Sequence, residues 1–358
     1  MIKKKTELVA GRRLPHRQAA GFILLLGLMT LELSAGVIVT TNAGDWNDGS
    51  IWSLGRPPMQ GDDVTVTNPV ALSNATDFLR SFQITNATLV FSNWTSALNA
   101  SNVTVQSGGV LTLPPAFTNG AMSNRVWIVC TNFTLASNGT INADYRGYCG
   151  GTNITGPGWT NLLAAQGAGA GSGSCGGGYG GRGGEPMGFN ATGIGPAYGS
   201  ASVPAEPGSG GARATTAGGA GGGAVRIEAS GTATCFGTIT ANGGNGLGNG
   251  DGGGSGGSIA IVCGQFAGST NGLLRAYGGA GTDTAGGGGG GRIAVVYAQS
   301  PAVNPGVRFG VTEGAKGGRG YAGQPGTLYL PDTALLTETL SSPSSSTPVF
   351  ILACRCGR

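Results

Sequence analysis

The chain has 358 residues, of which 73 are glycine and 17 proline, while only 10% are charged. Six of the 20 basic and two of the 16 acidic residues precede residue 36, so the remainder is balanced, which argues against steering of nucleic acid or anionic lipid. Because the single histidine, His16, also lies in that N-terminal part, the rest of the chain has no imidazole for Ser/His/Asp or Cys/His catalysis or for a metal site.

The first 35 residues have the layout of a secretory signal peptide. Basic residues precede an apolar run from Ala19 to about Leu33, and small residues follow at Ser34-Ala35-Gly36. The run is short for a membrane span and has Glu32 near its end. We therefore predict a signal peptide over 1–35, a secreted or cell-surface location and no membrane span in the mature chain. Cleavage after Ala43 is an alternative.

Residues 36–80 carry a motif of tryptophans, glycines, proline and aspartates at fixed spacing. In order, its residues are Trp46, Trp52, Gly55, Pro58, Gly61, Asp62, Asp63 and Val64. This order resembles the opening of secreted bacterial parallel β-helix proteins and, more loosely, the G8 type of extracellular domain. The resemblance implies an N-terminal cap in which Trp46 and Trp52 cover the apolar end of the first coil. Stacking of these two rings on sugars is the alternative function.

Residues 81–146 alternate apolar and polar side chains between turns of Asn, Ser and Gly, a pattern that predicts the first β-helix coils. The predicted strands are Phe82–Ile84, Ala87–Phe91, Val103–Val105 and Val110–Leu113. A further strand pair, Val126–Cys130 and Gly139–Ala143, repeats the residue order of Val225–Ala229 and Gly237–Ala241. The two pairs are therefore predicted to be successive coils of one kind.

The stretch between these two coils, 147–223, is then one long insertion. More than half of its residues are Gly, Ala or Ser. Loops of this length inside compact domains are usually either functional or disordered. We expect disorder, or loose packing along the flank of the coils.

Regular repeats occupy residues 224–331. Short apolar runs begin 34 residues apart, at Ala224, Ser258, Arg292 and Gly326. Two columns of core residues are predicted from this spacing, Val225, Ile259, Ile293 and Thr327 in the first and Ile227, Ile261, Val295 and Tyr329 in the second. With Gly-rich returns between the runs, each coil can pair its backbone with the next at about 4.8 Å. The pattern predicts an all-β fold, a right-handed parallel β-helix similar to Gly-rich pectin-lyase-like solenoids.

Residues 332–358 are predicted to be a Ser/Pro linker and a tail. The tail has too few apolar residues to span a bilayer, and no role is predicted for Cys354 or Cys356. Because many chains with similar coils continue well beyond this point, a fragment of a longer protein is one expectation.

The cysteines suggest packing and one disulfide rather than a metal site. Cys130 and Cys263 end aligned strands, where a small buried side chain is expected. Cys149 and Cys175 both lie in the insertion, and in an oxidising compartment they are the first candidates for a disulfide. No CxxC spacing occurs, and no metal or other cofactor is predicted.

Two functions other than a passive one remain open. A lyase or hydrolase acting on polysaccharide would need carboxylates that converge, and the candidates are Asp251 and Asp283 in equivalent returns and Glu313 in another turn. Isolated turn aspartates are the simpler interpretation. A carbohydrate-binding module would need exposed rings in a row, with candidates Trp46, Trp52, Tyr145, Tyr148 and Tyr277.

The sequence thus predicts a non-catalytic, adhesin-like or structural module of the cell surface. Its partner would be an extracellular polysaccharide or another cell-surface component. No nucleic-acid partner and no catalytic residues are predicted.

Overall fold

The structure is a computed structural model, which describes residues 35–119, 121–156, 159–188, 192–336 and 351–352. The predicted signal peptide lies outside these ranges except for Ala35, and Cys354 and Cys356 lie outside them as well. The described part is all-β apart from one 3-10 turn at Gly49–Ile51. Its strands are β1 (Val37–Val39), β2 (Gly44–Asp45), β3 (Asp63–Val66), β4 (Val70–Leu72), β5 (Leu79–Ile84), β6 (Thr88–Phe91), β7 (Leu98–Val105), β8 (Val110–Thr112), β9 (Val126–Leu135), β10 (Thr140–Asn142), β11 (Thr152–Gly156), β12 (Trp159–Leu163), β13 (Ala224–Cys235), β14 (Thr238–Thr240), β15 (Ser258–Gly268), β16 (Leu273–Arg275), β17 (Arg292–Gln299), β18 (Arg308–Gly310), β19 (Thr327–Tyr329) and β20 (Ile351–Leu352).

Two parallel sheets organise these strands. The larger sheet has the order β1-β3-β5-β7-β9-β13-β15-β17-β19-β20, and the smaller has β18-β16-β14-β10-β8-β6-β4-β2. Along the chain, strands of the larger sheet alternate with short strands of the smaller one from β1 to β10 and again from β13 to β19. The separate pair β11 and β12 is antiparallel and lies in the insertion. This alternation between two parallel sheets is compatible with a parallel β-solenoid.

The register confirms most of the predicted columns. Val225 pairs with Ile259 and Ile259 with Ile293, and Val126 pairs with Val225 across the insertion. The last coil is different, because Ile293 pairs with Leu328 and Thr327 pairs with Arg292. The prediction of Thr327 and Tyr329 as core residues was therefore wrong by one position. Ser258 and Leu273 are 15 residues apart, whereas their partners Arg292 and Arg308 are 16 apart, so the segment between β17 and β18 contains one extra residue. A shift of one residue turns a strand's faces over.

The core lies on the inward-facing positions of the two sheets. Buried and more exposed residues alternate along β9 and β3, whereas the first four residues of β15 and of β17 are all buried. Fully buried members of the column through the smaller sheet are Leu89, Leu111, Ile141, Ile239 and Leu274. Stacking of the same kind of side chain from coil to coil gives a continuous apolar interior.

The glycine-rich returns pack as a three-dimensionally hydrogen-bonded bundle. Within the return at 252–257, the first and fourth residues donate their N–H groups to 209–212, the second and fifth to 286–289, and the third and sixth to 241–244. The bond direction thus repeats every three residues, which is the period of the polyproline II helix. We call these returns (241–257, 276–291 and 311–326), together with residues 165–184 and 207–223, the glycine bundle.

The insertion is part of this bundle, so the expected disorder or loose packing was wrong for its described residues. Gly177 donates to Gly253 at 2.9 Å and Gly181 donates to Gly290 at 2.9 Å. Arg292, at the start of β17, reaches out of the sheet and donates to the carbonyl oxygen of Tyr198 at 2.6 Å. Its guanidinium also lies 5.3 Å from the ring centroid of Tyr179. Backbone and side-chain bonds therefore hold the insertion against the coils.

Close approach, rather than backbone conformation, requires glycine in the bundle. The central glycines of 252–257 and 286–291 have no positive φ. A Cβ on Gly288 would lie 2.0 Å from the carbonyl oxygen of Gly254, and one on Gly219 would lie 1.8 Å from that of Gly244. Extended segments can pack at this distance only without side chains between them.

Among the described residues, no helix has the length and apolar character needed to cross a bilayer.

Candidate functional site

Asp251, one of the predicted carboxylates, is fully buried at the tip of a return. Its two oxygens accept five backbone hydrogen bonds of 2.6–3.0 Å, from the N–H groups of Ala214, Thr215, Thr216, Ala217 and Gly248. Burial raises the pKa of Asp251, but the backbone N–H groups outweigh it and hold the pKa below its usual value. This carboxylate thus fixes the 214–217 turn of the insertion to the return.

The other two carboxylates are placed in neighbouring returns. The backbone of Asp251 bonds to Thr282, the residue before Asp283, so the returns that carry these two aspartates are in contact. Asp283 is exposed and has a φ of 46°, a conformation that a turn aspartate tolerates. Glu313 is partly buried in the next return, and its Oε2 has no hydrogen-bond partner among the described residues. No described group of three His, Cys, Asp or Glu residues could hold a metal ion.

The tryptophans of the N-terminal motif pack against each other inside the first coils. Trp46 and Trp52 are 3% and 2% exposed, with ring centroids 5.1 Å apart in an edge-to-face arrangement. Trp52 Nε1 donates to the Trp46 carbonyl oxygen at 3.0 Å, and Trp46 also faces Phe82. These contacts fit a cap, and sugar stacking would require ring faces that the structure covers.

The aspartates of the same motif form ion pairs. Asp62 is fully buried and accepts hydrogen bonds from Arg56, Gly36 N and Met59 N, while Asp63 pairs with Arg80. Burial raises the pKa of Asp62, but the bonds from Arg56 and the two backbone groups lower it below its usual value. The motif is therefore built to hold the first coils together.

Two of the three predicted tyrosines lie near each other. Tyr145 N donates to the Asn242 carbonyl oxygen, and Tyr277 N donates to Asn242 Oδ1, so the two tyrosines flank one segment on either side. Tyr145 is 53% exposed, and Tyr277 is partly buried beneath the guanidinium of Arg275. Tyr148 lies in another environment, 4.7 Å from Phe117 in an edge-to-face contact. The row of three rings is thus reduced to a pair.

The cysteines of the described residues are buried free thiols, including Cys149 and Cys175. The disulfide predicted between these two is therefore not formed in the structure. Burial raises the pKa of Cys175 to about 11 and those of Cys130, Cys235 and Cys263 to about 12. Such thiols are mostly protonated near neutral pH and behave as small apolar side chains.

A cluster that the sequence analysis missed lies on the outer face of the larger sheet. The Arg125 guanidinium carbon is 4.1 Å from the ring centroid of Trp127 and 4.8 Å from that of Trp94. Arg125 Nε donates to the Trp94 carbonyl oxygen at 3.0 Å. Trp94 comes from the turn after β6 and Arg125 precedes β9, 31 residues later in the chain. We call these three residues the Trp–Arg–Trp cluster.

Charged residues continue the cluster across the next strand. Trp127 pairs with Arg226 in the sheet, and Trp127 Nε1 donates to Glu228 Oε1 at 3.0 Å. The same oxygen accepts from Arg226 Nε at 2.5 Å, and both members of this ion pair are about one-third exposed. Glu228 is therefore held in place by two neighbours on the sheet surface.

A groove of about 490 Å³ begins beside this ion pair. Its apolar lining includes Phe78, Val129 and Val262, and Phe78 and Val262 are 49% and 46% exposed. Glu228, Ser230 and Thr131 supply polar groups. A concave surface that combines apolar patches with a few fixed polar groups is suited to binding a ligand.

No protein-family model matches the chain, and searches of curated proteins and of solved structures also find no match.

Proposed function

We propose that the chain is a secreted or cell-surface, adhesin-like structural module, built as a right-handed parallel β-helix whose coils close around the apolar interior. Right-handed crossovers are by far the commoner kind between parallel strands of one sheet, which supports that handedness. The Trp46 and Trp52 pair acts as the G8-like cap of the first coil. The signal-peptide pattern of residues 1–35 supports export.

The observation that carries this proposal is the attachment of the glycine bundle to the coils. Each central segment bonds to neighbours in several directions, and the coils themselves are joined by continuous parallel ladders. Such an arrangement resists bending and opening because many backbone bonds must break together. A stiff element that holds binding surfaces away from the cell is the role that this construction serves best.

A carbohydrate-binding role is the second candidate, favoured by the Trp–Arg–Trp cluster and its groove. Aromatic and arginine side chains are enriched at binding surfaces. Cleavage of polysaccharide is less well supported, because Asp251 would have to give up five backbone hydrogen bonds to act on a substrate.

The location can be tested by expressing the full chain, with a C-terminal tag, in a bacterial host. We expect the tag outside the cytoplasm and the N-terminal segment removed, whereas a chain with Lys3, Lys4 and Lys5 replaced and the apolar run interrupted should stay inside. Retention of the unaltered chain in the cytoplasm would overturn the proposal. The passive role is tested by incubating the purified protein with polysaccharides, where the appearance of new reducing ends or unsaturated products would contradict it.

A further inference from the structure

We propose that the Trp–Arg–Trp cluster and the adjoining groove bind a sugar polymer that bears carboxylates. Arg125 receives a carboxylate, and the groove receives the neighbouring part of the polymer. This inference rests on the proposed adhesin-like function and names the class of ligand.

Arg125 presents a preorganised fork of donors. Its guanidinium plane is held by the two indole rings, and its Nε is fixed to the Trp94 carbonyl oxygen. Neither terminal nitrogen makes a hydrogen bond with the described residues, and the Arg125 residue is partly exposed. Two parallel N–H donors match the two oxygens of a carboxylate, and a fixed plane loses little entropy on binding.

The charge of Arg125 also lacks an opposite charge in direct contact. Among the described residues it has no ion pair, whereas Arg56, Arg80 and Arg226 each have one. Burial and the charge of Arg226 lower the pKa of Arg125, while Glu228 raises it. Its half-buried cation is thus poorly compensated. An anionic ligand would supply that compensation on the outer face of the sheet.

The groove beside the cluster favours a sugar ring next to the carboxylate. Phe78, Val129 and Val262 offer apolar surface for the C–H face of a pyranose, while Glu228 and Ser230 offer acceptors and donors for its hydroxyls. Glu228 links the two parts, since it lines the groove and bonds to Trp127. Beyond the register shift between Ala229 and Ala233 of β13, polar side chains continue from strand to strand, in the column Thr65, Gln83, Thr104, Thr134 and Thr234.

An acidic protein segment fits this surface less well. Extended peptides commonly bind by adding a strand to an open sheet edge, where backbone groups give most of the affinity. Here β9 and β13 are both paired on both sides, so their surface offers side chains only. Hydroxyl-rich ligands need only such side-chain partners.

Binding of the purified full chain to four polymers tests the proposal. The probes are alginate as a polymer of uronic acids, dextran as a neutral glucan, dextran sulfate, and poly-L-glutamate as a carboxylate polymer without sugar. We expect alginate to bind with the highest affinity, and Arg125→Lys to weaken that binding by about tenfold or more, since Lys keeps the charge but loses the planar fork. Arg80→Lys, a matched change at an exposed paired arginine of the same sheet, should leave it unchanged.

Equal binding by the Arg125→Lys variant would overturn the proposal, as would dextran, dextran sulfate or poly-L-glutamate binding as tightly as alginate. If Arg125→Lys does not fold, Val262→Glu gives an independent test, because this position is exposed and the new charge lies in the groove. It should weaken alginate binding, and unchanged binding would contradict the proposal. Export and stiffness do not depend on these residues, so loss of ligand binding with normal export separates this inference from the proposed function.

Discussion

Gly253 and Gly279 lie so close together that a Cβ on Gly253 would come within 1.9 Å of the Gly279 carbonyl oxygen. Both belong to returns of successive coils, and Gly279 N donates to the Gly254 carbonyl oxygen at 2.8 Å. The neighbouring atom is backbone, which cannot rotate away as a side chain can. The bundle therefore depends on the absence of side chains at specific positions.

Gly253→Ala is expected to lower the free energy of unfolding by about 1–3 kcal/mol or more, since overpacking forces backbone shifts. Gly318→Ala is the matched control, because a Cβ there meets only the Asp283 carbonyl oxygen at 3.7 Å and its φ is not positive. Gly318→Ala should change the free energy of unfolding by no more than about 0.5 kcal/mol. Chemical denaturation of both variants measures the difference, and equal stabilities would contradict this account of the bundle.

Asp251→Asn is expected to destabilise the protein by about 3 kcal/mol near neutral pH, because an amide cannot accept all five backbone bonds and leaves buried donors unpaired. The folded-state pKa of Asp251 is depressed, so its contribution is fully present above the unfolded-state pKa of about 3.9 and is lost as the pH falls through the folded-state value. The stability gap between the two proteins should therefore narrow in acid.

Asp283→Asn serves as the control for that experiment, since Asp283 is exposed and asparagine tolerates its positive φ. Denaturation curves at several pH values would show the effect. A pH-independent gap between wild type and Asp251→Asn would argue against a stabilising carboxylate.

Leu328→Ala should lower the free energy of unfolding by about 2–5 kcal/mol, because Leu328 is 7% exposed and pairs with Ile293 in the core column. Tyr329→Ala should cost less, as Tyr329 pairs with Ala294 and points outward. The sequence-derived column predicts the reverse order, so the two variants discriminate between the registers. Thermal or chemical unfolding of both variants shows which substitution lowers the stability more.

The buried thiols should be unreactive in the folded protein. Their pKa values, raised to about 11 for Cys175 and about 12 for Cys130, leave almost no thiolate at pH 8. A chain with Cys354→Ser and Cys356→Ser should react with a thiol reagent only after unfolding, and should then show five thiols. Rapid reaction in the native state, or fewer than five thiols after unfolding, would contradict the structure.

The coils could be predicted because their signal is carried by side chains. Val225, Ile259 and Ile293 recur at one interval of 34 residues, which predicts their pairing, and the alternation of apolar residues predicts that they face the core. Leu328 was missed because the interval lengthens by one residue in the loop between β17 and β18, which has no repeated pattern. The same absence of pattern hid the order of the insertion, where backbone groups rather than side chains make the contacts.

The Trp–Arg–Trp cluster could not be predicted as a unit. Trp94 lies in a turn and Arg125 precedes a strand, and neither belongs to a repeated column. One signal was present, since Trp127 occupies an outward position of a strand whose inward positions are Val126 and Ile128. The cluster forms because the tertiary fold brings two indole rings to one guanidinium group. The spacing of these residues in the sequence does not predict that contact.

The threefold period of the glycine bundle has a consequence for how the chain keeps its alignment. A glycine run displaced by three residues would offer the same donors in the same directions. The backbone hydrogen bonds of the runs therefore distinguish poorly between the two alignments. Alignment must come from the few residues that are not glycine, with Asp251 anchoring one tip and Arg292 anchoring the start of a strand. Length changes in steps of three within the runs should accordingly be tolerated during evolution far better than changes of one or two.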